Sequence, residues 1–503
     1  MNSSASRKGS ASRKGSASGN SSAALNASRR RIELARAAET VADVLIVGGG
    51  ITGTGAALDA AARGLSVVLI EAHDLAFGTS RFSSKLVHGG LRYLATGDVA
   101  TARESARERH LLMTAIAPHL THPLAQLLPF SPGIDIRQRG AGAAGMVIGD
   151  ALRWQAHTPR RVLPAPHPVS GRHARRLVPA LAREGLHGGM VAYDGQLDDD
   201  ARLVVTVART AAALGAKILT RVRARALHAN AVDAEDELSG ERLQLRARTV
   251  INATGVWAGS LDGAIRVRPS RGTHIVLDGA DLGHPTAALT IPHPGSISRY
   301  VFALPQPDGL VYVGLTDEDA PGPVPDVAEP TEGEIVFLLD TLNRVLARPL
   351  PRERVLGAFA GLRPLVDSGD ATSADVSRRH LVTVSDAGVV SVLGGKLTTY
   401  RRMAQDAVDV AVERGRLEAA ACTTASLRLV ALPERIPQAP LVDGAAATEQ
   451  DVVNAVREEG ALDADDVLDR RLRADVVPAR RAALLAPVTR LVDRTLDELS
   501  ASE

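Results

Sequence analysis

Gly48, Gly50 and Gly53 stand as GxGxxG between the apolar run Val44–Val47 and the Ala-rich stretch Ala56–Arg63. A strand, a glycine turn and a helix start in that order build a cradle for a pyrophosphate. The first glycine permits the tight turn, the second lets backbone approach the phosphates, and the third lets helix and strand pack closely. The helix N-terminus then offers N–H groups and a positive dipole end to the anion. Glu71 follows the next apolar run, Ser66–Ile70, eighteen residues after Gly53, where a carboxylate accepts ribose hydroxyls. An isolated GxGxxG is a weak signal. With both strands, the helix and the acid in register, it predicts a dinucleotide site on a βαβ unit.

The motif does not separate NAD from FAD; two distant segments favour FAD. Val250–Gly255 reads VINATG, an apolar strand and a small-residue turn of the kind that returns to the dinucleotide in two-domain flavoproteins. Val392–Thr399 reads VLGGKLTT, a strand, a glycine pair and a second helix start. That helix N-terminus suits the pyrimidine edge of a flavin, where reduction develops negative charge. Lysine usage adds an independent argument. Of 59 basic residues only five are lysine (Lys8, Lys14, Lys85, Lys217 and Lys396), and Lys85 and Lys396 both fall in Gly-rich candidate motifs. A chain that otherwise chooses arginine points to a need for a compact ammonium there.

The elements that must position these residues can be read coarsely. At 503 residues the chain has room for more than one domain. Asp199–Leu214 reads as a helix, Ile218–Leu227 as extended and Thr249–Asn252 as a buried strand. Short strands with Gly/Pro turns fill 270–316, among them His274–Leu277, Tyr300–Ala303 and Leu310–Gly314. Thr331 with Glu334 predicts a capping box opening a helix to Leu346. Val389–Leu393 is a further buried strand, Leu397–Arg414 a long helix, and Asp451–Glu459 and Arg480–Leu499 close the chain with helical patterns. Asp198–Asp200 reads as an acidic helix cap ahead of Arg202, since three consecutive acids do not converge on one metal. The expected fold is α/β: a Rossmann-like FAD domain (41–105, 198–260 and 350–415), an inserted β-sheet substrate domain (106–197 and 261–349) and a C-terminal helical domain (416–503).

Residues 1–40 are expected to be a disordered basic tail, with the hexapeptide ASRKGS twice at Ala5–Ser10 and Ala11–Ser16. Residues 1–31 hold seven basic groups and no acid; removing these seven from the net +2 leaves the rest at −5. A mildly acidic body gives no support for nucleic-acid binding. No apolar run approaches the roughly 20 residues of a membrane span, and Cys422 alone builds neither an intrachain disulfide nor a cysteine metal site. A cytoplasmic location fits.

The segment Gly78–Leu94, GTSRFSSKLVHGGLRYL, followed by NATG, GLRPL and GGKLTTYR, resembles the FAD-dependent glycerol-3-phosphate dehydrogenases of the aerobic, quinone-linked type. The resemblance covers about 42–405 and extends more weakly through Val452–Arg471. It implies oxidation of glycerol 3-phosphate to dihydroxyacetone phosphate, with hydride transfer to FAD and electrons passed to a quinone. Peripheral contact with the inner face of the cytoplasmic membrane and a homodimer stay open, as does the role of the tail.

The reaction moves a hydride from carbon to flavin and removes a hydroxyl proton, while the phosphate needs cations. The resemblance assigns these needs to Arg92, Arg363 and Lys396, with Tyr93 and Arg378 in the substrate pocket. His88 is the favoured base and His274 its rival; His88 also suits a flavin contact. The expected flavin contacts begin with Gly48, Gly50, Ile51, Thr52, Gly53, Glu71 and Ala72. Thr79, Ser83, Ser84, Lys85, Leu86, His88 and Gly89 follow, with Lys85 serving phosphate or holding its loop. Val222, Ala253, Thr254, Gly255, Gly394, Gly395, Lys396, Leu397 and Thr398 complete them. The alternatives are an oxidase passing electrons to oxygen, a flavin hydroxy-acid or amine oxidase, a flavin-binding protein without catalysis, and an NAD-linked dehydrogenase.

Overall fold

The computed structural model describes residues 22–90, 97–366, 380–432 and 437–502. Arg92, Tyr93, Arg378 and both ASRKGS repeats lie outside the described residues. Two sheets carry the fold. In the first, the strands Val390–Leu393, Arg242–Asn252, Val41–Val47, Val67–Ile70 and Lys217–Leu219 are parallel neighbours in that order. Their residues are apolar on both faces because both faces are covered, one by three helices and the other by the helix Ala27–Glu39 and an antiparallel strand pair. Ile51–Ala62, Asp200–Ala213 and Tyr400–Gly415 pack around Val44, Ile46, Val67 and Leu69 on one side. Leu45, Val68, Ile70 and Val250 form the core on the other side. Strands Val222–Leu227 and Ala231–Asp236 run antiparallel at the margin.

The second sheet has ten strands and is mostly antiparallel, with one parallel junction between Thr121–Pro129 and Ala288–Pro292. Helix Glu332–Asn343 packs on it through Leu338, Leu339 and Leu342. Its capping box is formed as the sequence predicts, with the Thr331 side chain accepting the Glu334 N–H. Helices Glu449–Arg457, Ala464–Arg470 and Pro478–Ala501 gather around Val452, Val456, Leu468 and Val488 at the C-terminus. Asp199 caps helix Asp200–Ala213 by accepting the Arg202 N–H at 2.7 Å.

Several expectations change. Residues 27–39 are not a disordered tail: Ala27–Glu39 is a helix capped by Asn26. Arg30 holds it to the sheet by donating to the Thr220 carbonyl and pairing with Asp236. Its polar sequence hid a narrow buried contact around Ala37 and Leu34. Ile218–Leu227 is two strands, broken at Arg221 with φ +58°. Strand Gly357–Val366, expected with the flavin domain, pairs with Val267–Asp278 in the second sheet. Leu86–Val87 likewise pairs with Gly189–Leu197. The expected boundary at 105/106 falls inside the helix Val99–Leu111. Strand partners far apart in sequence set these memberships, and local pattern does not encode them.

Candidate active site

The turn after Val41–Val47 is built as the glycine spacing demands. Gly48 has φ +114°, and a Cβ on it would lie 2.6 Å from the Ala253 carbonyl oxygen. A Cβ on Gly53 would lie 1.8 Å from the Gly48 carbonyl oxygen, so only glycine lets helix Ile51–Ala62 approach this closely. Gly50 is the N-cap and brings no side chain to the helix end. The Glu71 carboxylate accepts the Gly49 N–H at 2.6 Å and the His73 N–H at 2.9 Å. Burial pushes its carboxyl above the usual range.

A cavity of about 660 Å³ runs from this turn between the two sheets. Gly48, Gly50, Ile51, Thr52, Glu71 and Ala72 line one end, with Val222 beside them. Ala253, Thr254 and Gly255 return to it as expected, where Asn252 Oδ1 accepts the Thr254 hydroxyl at 2.6 Å. Thr79, Ser83, Ser84, Leu86 and His88 form a second wall. Gly394, Gly395, Lys396 and Leu397 form a third, with the glycines at φ +70° and +78°. Arg363 enters from the second sheet. Segments more than three hundred residues apart thus meet on one volume.

Arg223, Arg299, Arg363 and Lys396 stand on its walls, and the last two are the cations expected from the sequence. Arg363 Nη1 donates to Asp317 Oδ1 (3.0 Å) and Ser270 Oγ (3.1 Å), and Nη2 donates to the Thr316 carbonyl (2.9 Å). Gly272 clears the space for it: a Cβ there would sit 2.2 Å from Nη2. Lys396 Nζ donates to Ser105 Oγ at 2.7 Å. His88 accepts the Gly90 N–H at Nδ1 (3.2 Å). A neutral ring in that arrangement carries its proton on Nε2.

Other expected residues stand behind the walls. Gly53 packs as described, and Thr398 is buried under the helix start. Gly89 covers the Arg109 guanidinium and donates its N–H to Asp194. Lys85 does not line the cavity: its Nζ is buried against Asp200 at 2.8 Å, so it holds its loop rather than meeting a phosphate. His274 reaches the cavity only through Ser84, whose Oγ is 2.9 Å from Nε2. Burial first, then Lys85 and Arg363, push its pKa down to about 3. That leaves it a poor proton acceptor near neutrality.

Sequence reasoning missed Asp194, Ser105, Arg109, Asp317 and Trp257. Asp194 and Asp317 line the cavity, and Trp257 closes it over Gly78. Asp194 accepts from Arg109, and burial raises its carboxyl against that pull. An acid inside the strand Gly189–Leu197 is the one signal that would have exposed it. Asp317, Ser105 and Trp257 carry no such mark.

The glycine cradle, the ribose-side carboxylate and the second helix start fit a flavin dinucleotide. The model for FAD dependent oxidoreductases matches residues 43–401. Glycerol-3-phosphate dehydrogenase 1 of Mycobacterium tuberculosis is 49% identical over 506 residues, 93% of this chain and 98% of that protein. The solved glycerol-3-phosphate dehydrogenase from Bacillus halodurans, complexed with FAD, superposes with a TM-score of 0.69. The identity is 23%, covering 95% of this chain and 97% of that one. An L-alpha-glycerophosphate oxidase from Mycoplasma pneumoniae with FAD bound gives 0.58 at 18% identity, covering 78% and 99%. A match over most of the chain, at nearly half identity to a whole relative, is decisive: this chain belongs to the FAD-dependent oxidoreductase family and, within it, to the glycerol-3-phosphate dehydrogenases.

Proposed function

We propose that this chain oxidises sn-glycerol 3-phosphate to dihydroxyacetone phosphate on bound FAD and passes the electrons to a quinone. The observation that carries the reading is the placing of Lys396 and Arg363 on walls of the same cavity as the Gly48–Gly53 turn. A dinucleotide cradle alone would serve many oxidoreductases; two cations beside it suit a phosphate dianion.

FAD, when bound, supplies the ring that takes up the hydride. Backbone N–H groups of Gly50 and Thr52 would hold its pyrophosphate at the helix N-terminus, beside the Ser80 hydroxyl, which accepts the Ile51 N–H at 3.0 Å. Glu71 would take the ribose, and Thr254, Gly255 and Gly394–Leu397, which line the cavity, would hold the flavin. Asp317 and Ser270 fix the Arg363 fork so that its direction is set before substrate arrives. Ser105 does the same for Lys396. His88 donates through Nε2 to cofactor or substrate. The Gly90 N–H on Nδ1 favours that role over proton abstraction, so the hydroxyl proton released with the hydride would pass to solvent water.

An anaerobic spectrum before and after glycerol 3-phosphate, with lactate and D-alanine as controls, tests the reading. Flavin bleaching by glycerol 3-phosphate alone is the expected result. A flavin that glycerol 3-phosphate leaves oxidised would end it, and readmitting air or adding quinone then distinguishes oxygen from quinone as acceptor.

Among the described residues no helix is long and apolar enough to cross a membrane. Peripheral contact has support in helix Ile136–Gln155, which leaves Ile136 77%, Val147 53% and Trp154 74% exposed. Spacings of eleven and seven residues put these three on one stripe. Gly142, Gly145 and Met146 on the helix line the cavity. A lipid-dwelling acceptor would therefore meet the site from this side. Wild type should float with anionic vesicles and the V147E/W154E double variant should not; equal flotation would remove the helix from membrane contact.

A further inference from the structure

Among the described residues, the C-terminal helical unit has none on the cavity, yet it is joined to the cavity wall by buried charge. Two grips hold it. At the first, Asp74, on the turn after Glu71, accepts Arg470 Nε at 2.7 Å and both terminal nitrogens of Arg471 at 2.8 and 3.0 Å. Asp74 and Arg471 are almost fully buried. At the second, Arg473, itself in the left-handed region at φ +55°, donates Nη2 to the Arg81 carbonyl at 2.8 Å. Its Nε lies 3.2 Å from Asp199 Oδ2.

Asp199 is followed by Asp200, and Asp200 carries the contact to the wall. It pairs with Lys85 Nζ at 2.8 Å and accepts the Ser83 N–H at 2.8 Å. Lys85 Nζ also donates to the Arg81 carbonyl at 2.9 Å, so Arg473 and Lys85 share that oxygen. Ser83 Oγ accepts the Lys85 N–H, and Ser84 Oγ meets His274. Ser83 and Ser84 themselves line the cavity.

We propose that Arg473, acting with Asp199, Asp200 and Lys85, is a positioning residue for FAD binding, and that the C-terminal unit thereby sets the shape of the flavin wall. This rests on the flavin reading above. Buried ion pairs contribute little net stability, because desolvation consumes most of their attraction; what they fix is one arrangement over others. Lys85 accepts a left-handed backbone (φ +57°), which a side chain adopts only when its surroundings over-determine it. The strained residue, its buried charge and the serines of the wall are consecutive. The coupling is reciprocal: what holds Ser83 and Ser84 favours flavin, and flavin favours the closed seam.

Hydrogen exchange on flavin-stripped protein, with and without added FAD, tests this together with FAD titration well below the unfolding transition. In wild type, FAD should slow exchange in 81–85 and in 470–477 together. Arg473→Ala should raise the FAD dissociation constant at least about tenfold, and FAD should no longer protect 470–477. Arg473→Lys should recover part of the affinity, since one ammonium serves the Arg81 carbonyl but not the Asp199 carboxylate as well. Arg494→Ala, which removes an exposed pair with Glu449 on the same unit, should change neither readout. If R473A does not fold, Asp199→Asn carries the same test, because Asn keeps the helix cap to the Arg202 N–H and loses only the charge. A folded variant with wild-type FAD affinity and intact protection of 470–477 overturns the proposal. A wild-type protein that takes up no FAD overturns the flavin reading first.

Discussion

Gly53→Ala sets two known effects against each other. Alanine in place of glycine inside a helix ordinarily gains about 0.5–1 kcal/mol. Here the new Cβ would lie 1.8 Å from the Gly48 carbonyl oxygen, where ordinary contact begins at 3.4 Å. The shortfall is about the 1.5 Å rise of one helical residue. The obstacle is backbone, so no rotamer relieves it. Overpacking of this kind costs about 1–3 kcal/mol, and the clash outweighs the propensity. The helix end must then move away from the strand, carrying the N–H groups of Gly50 and Thr52 with it. A hydrogen bond tolerates only a few tenths of an ångström. Losing two charge-assisted bonds, at about 1.5–3 kcal/mol each, predicts a fall in FAD affinity of at least about a hundredfold. Fluorescence titration of stripped protein with FAD measures it, with urea unfolding to record stability. Gly64→Ala is the control: φ is +85° with nothing within 4 Å, so it should cost about 1–2 kcal/mol of backbone strain and leave FAD binding unchanged. A G53A protein with wild-type FAD affinity would refute the reasoning.

Arg363→Ala should keep its yellow FAD and lose kcat/KM for glycerol 3-phosphate by about 10²–10⁴, the worth of two charged hydrogen bonds. Loss of flavin with normal turnover per bound FAD would remove Arg363 from the substrate role. His274 gives a pH prediction. Its folded pKa of about 3 lies below the unfolded value of about 6.5, so the unfolded chain binds the extra proton as pH falls. The stability it contributes is present above pH 6.5 and is lost on going down towards pH 3. Between pH 7 and 5 the loss is about 2 kcal/mol. His274→Gln should lose that much less stability over the interval in urea unfolding. Parallel pH curves for the two proteins would contradict it.

The dinucleotide half of the site was legible because its chemistry is local. Glycine spacing, an apolar strand on either side and an acid at a fixed distance follow from backbone geometry within one βαβ unit. VINATG and VLGGKLTT were legible for the same reason, each a strand running into a turn whose glycines or small residues admit a close ligand. The helix over residues 27–39 was not, since its polar sequence buries only a thin stripe and depends on Thr220 and Asp236 far away.

Other assignments needed the folded chain. Lys85 and Lys396 look alike in sequence, each a rare lysine in a motif, but one is sealed against Asp200 and the other stands on the cavity. His88 and His274 were rival bases; the folded chain sets His88 on the cavity with the Gly90 N–H on its Nδ1 and buries His274 behind the Ser84 hydroxyl. Sequence determined which cofactor chemistry this chain carries, because that rests on backbone conformations a few residues long. Tertiary structure decided which charged groups reach the cavity and which brace it, because burial and pairing arise from strands and helices that meet across hundreds of residues.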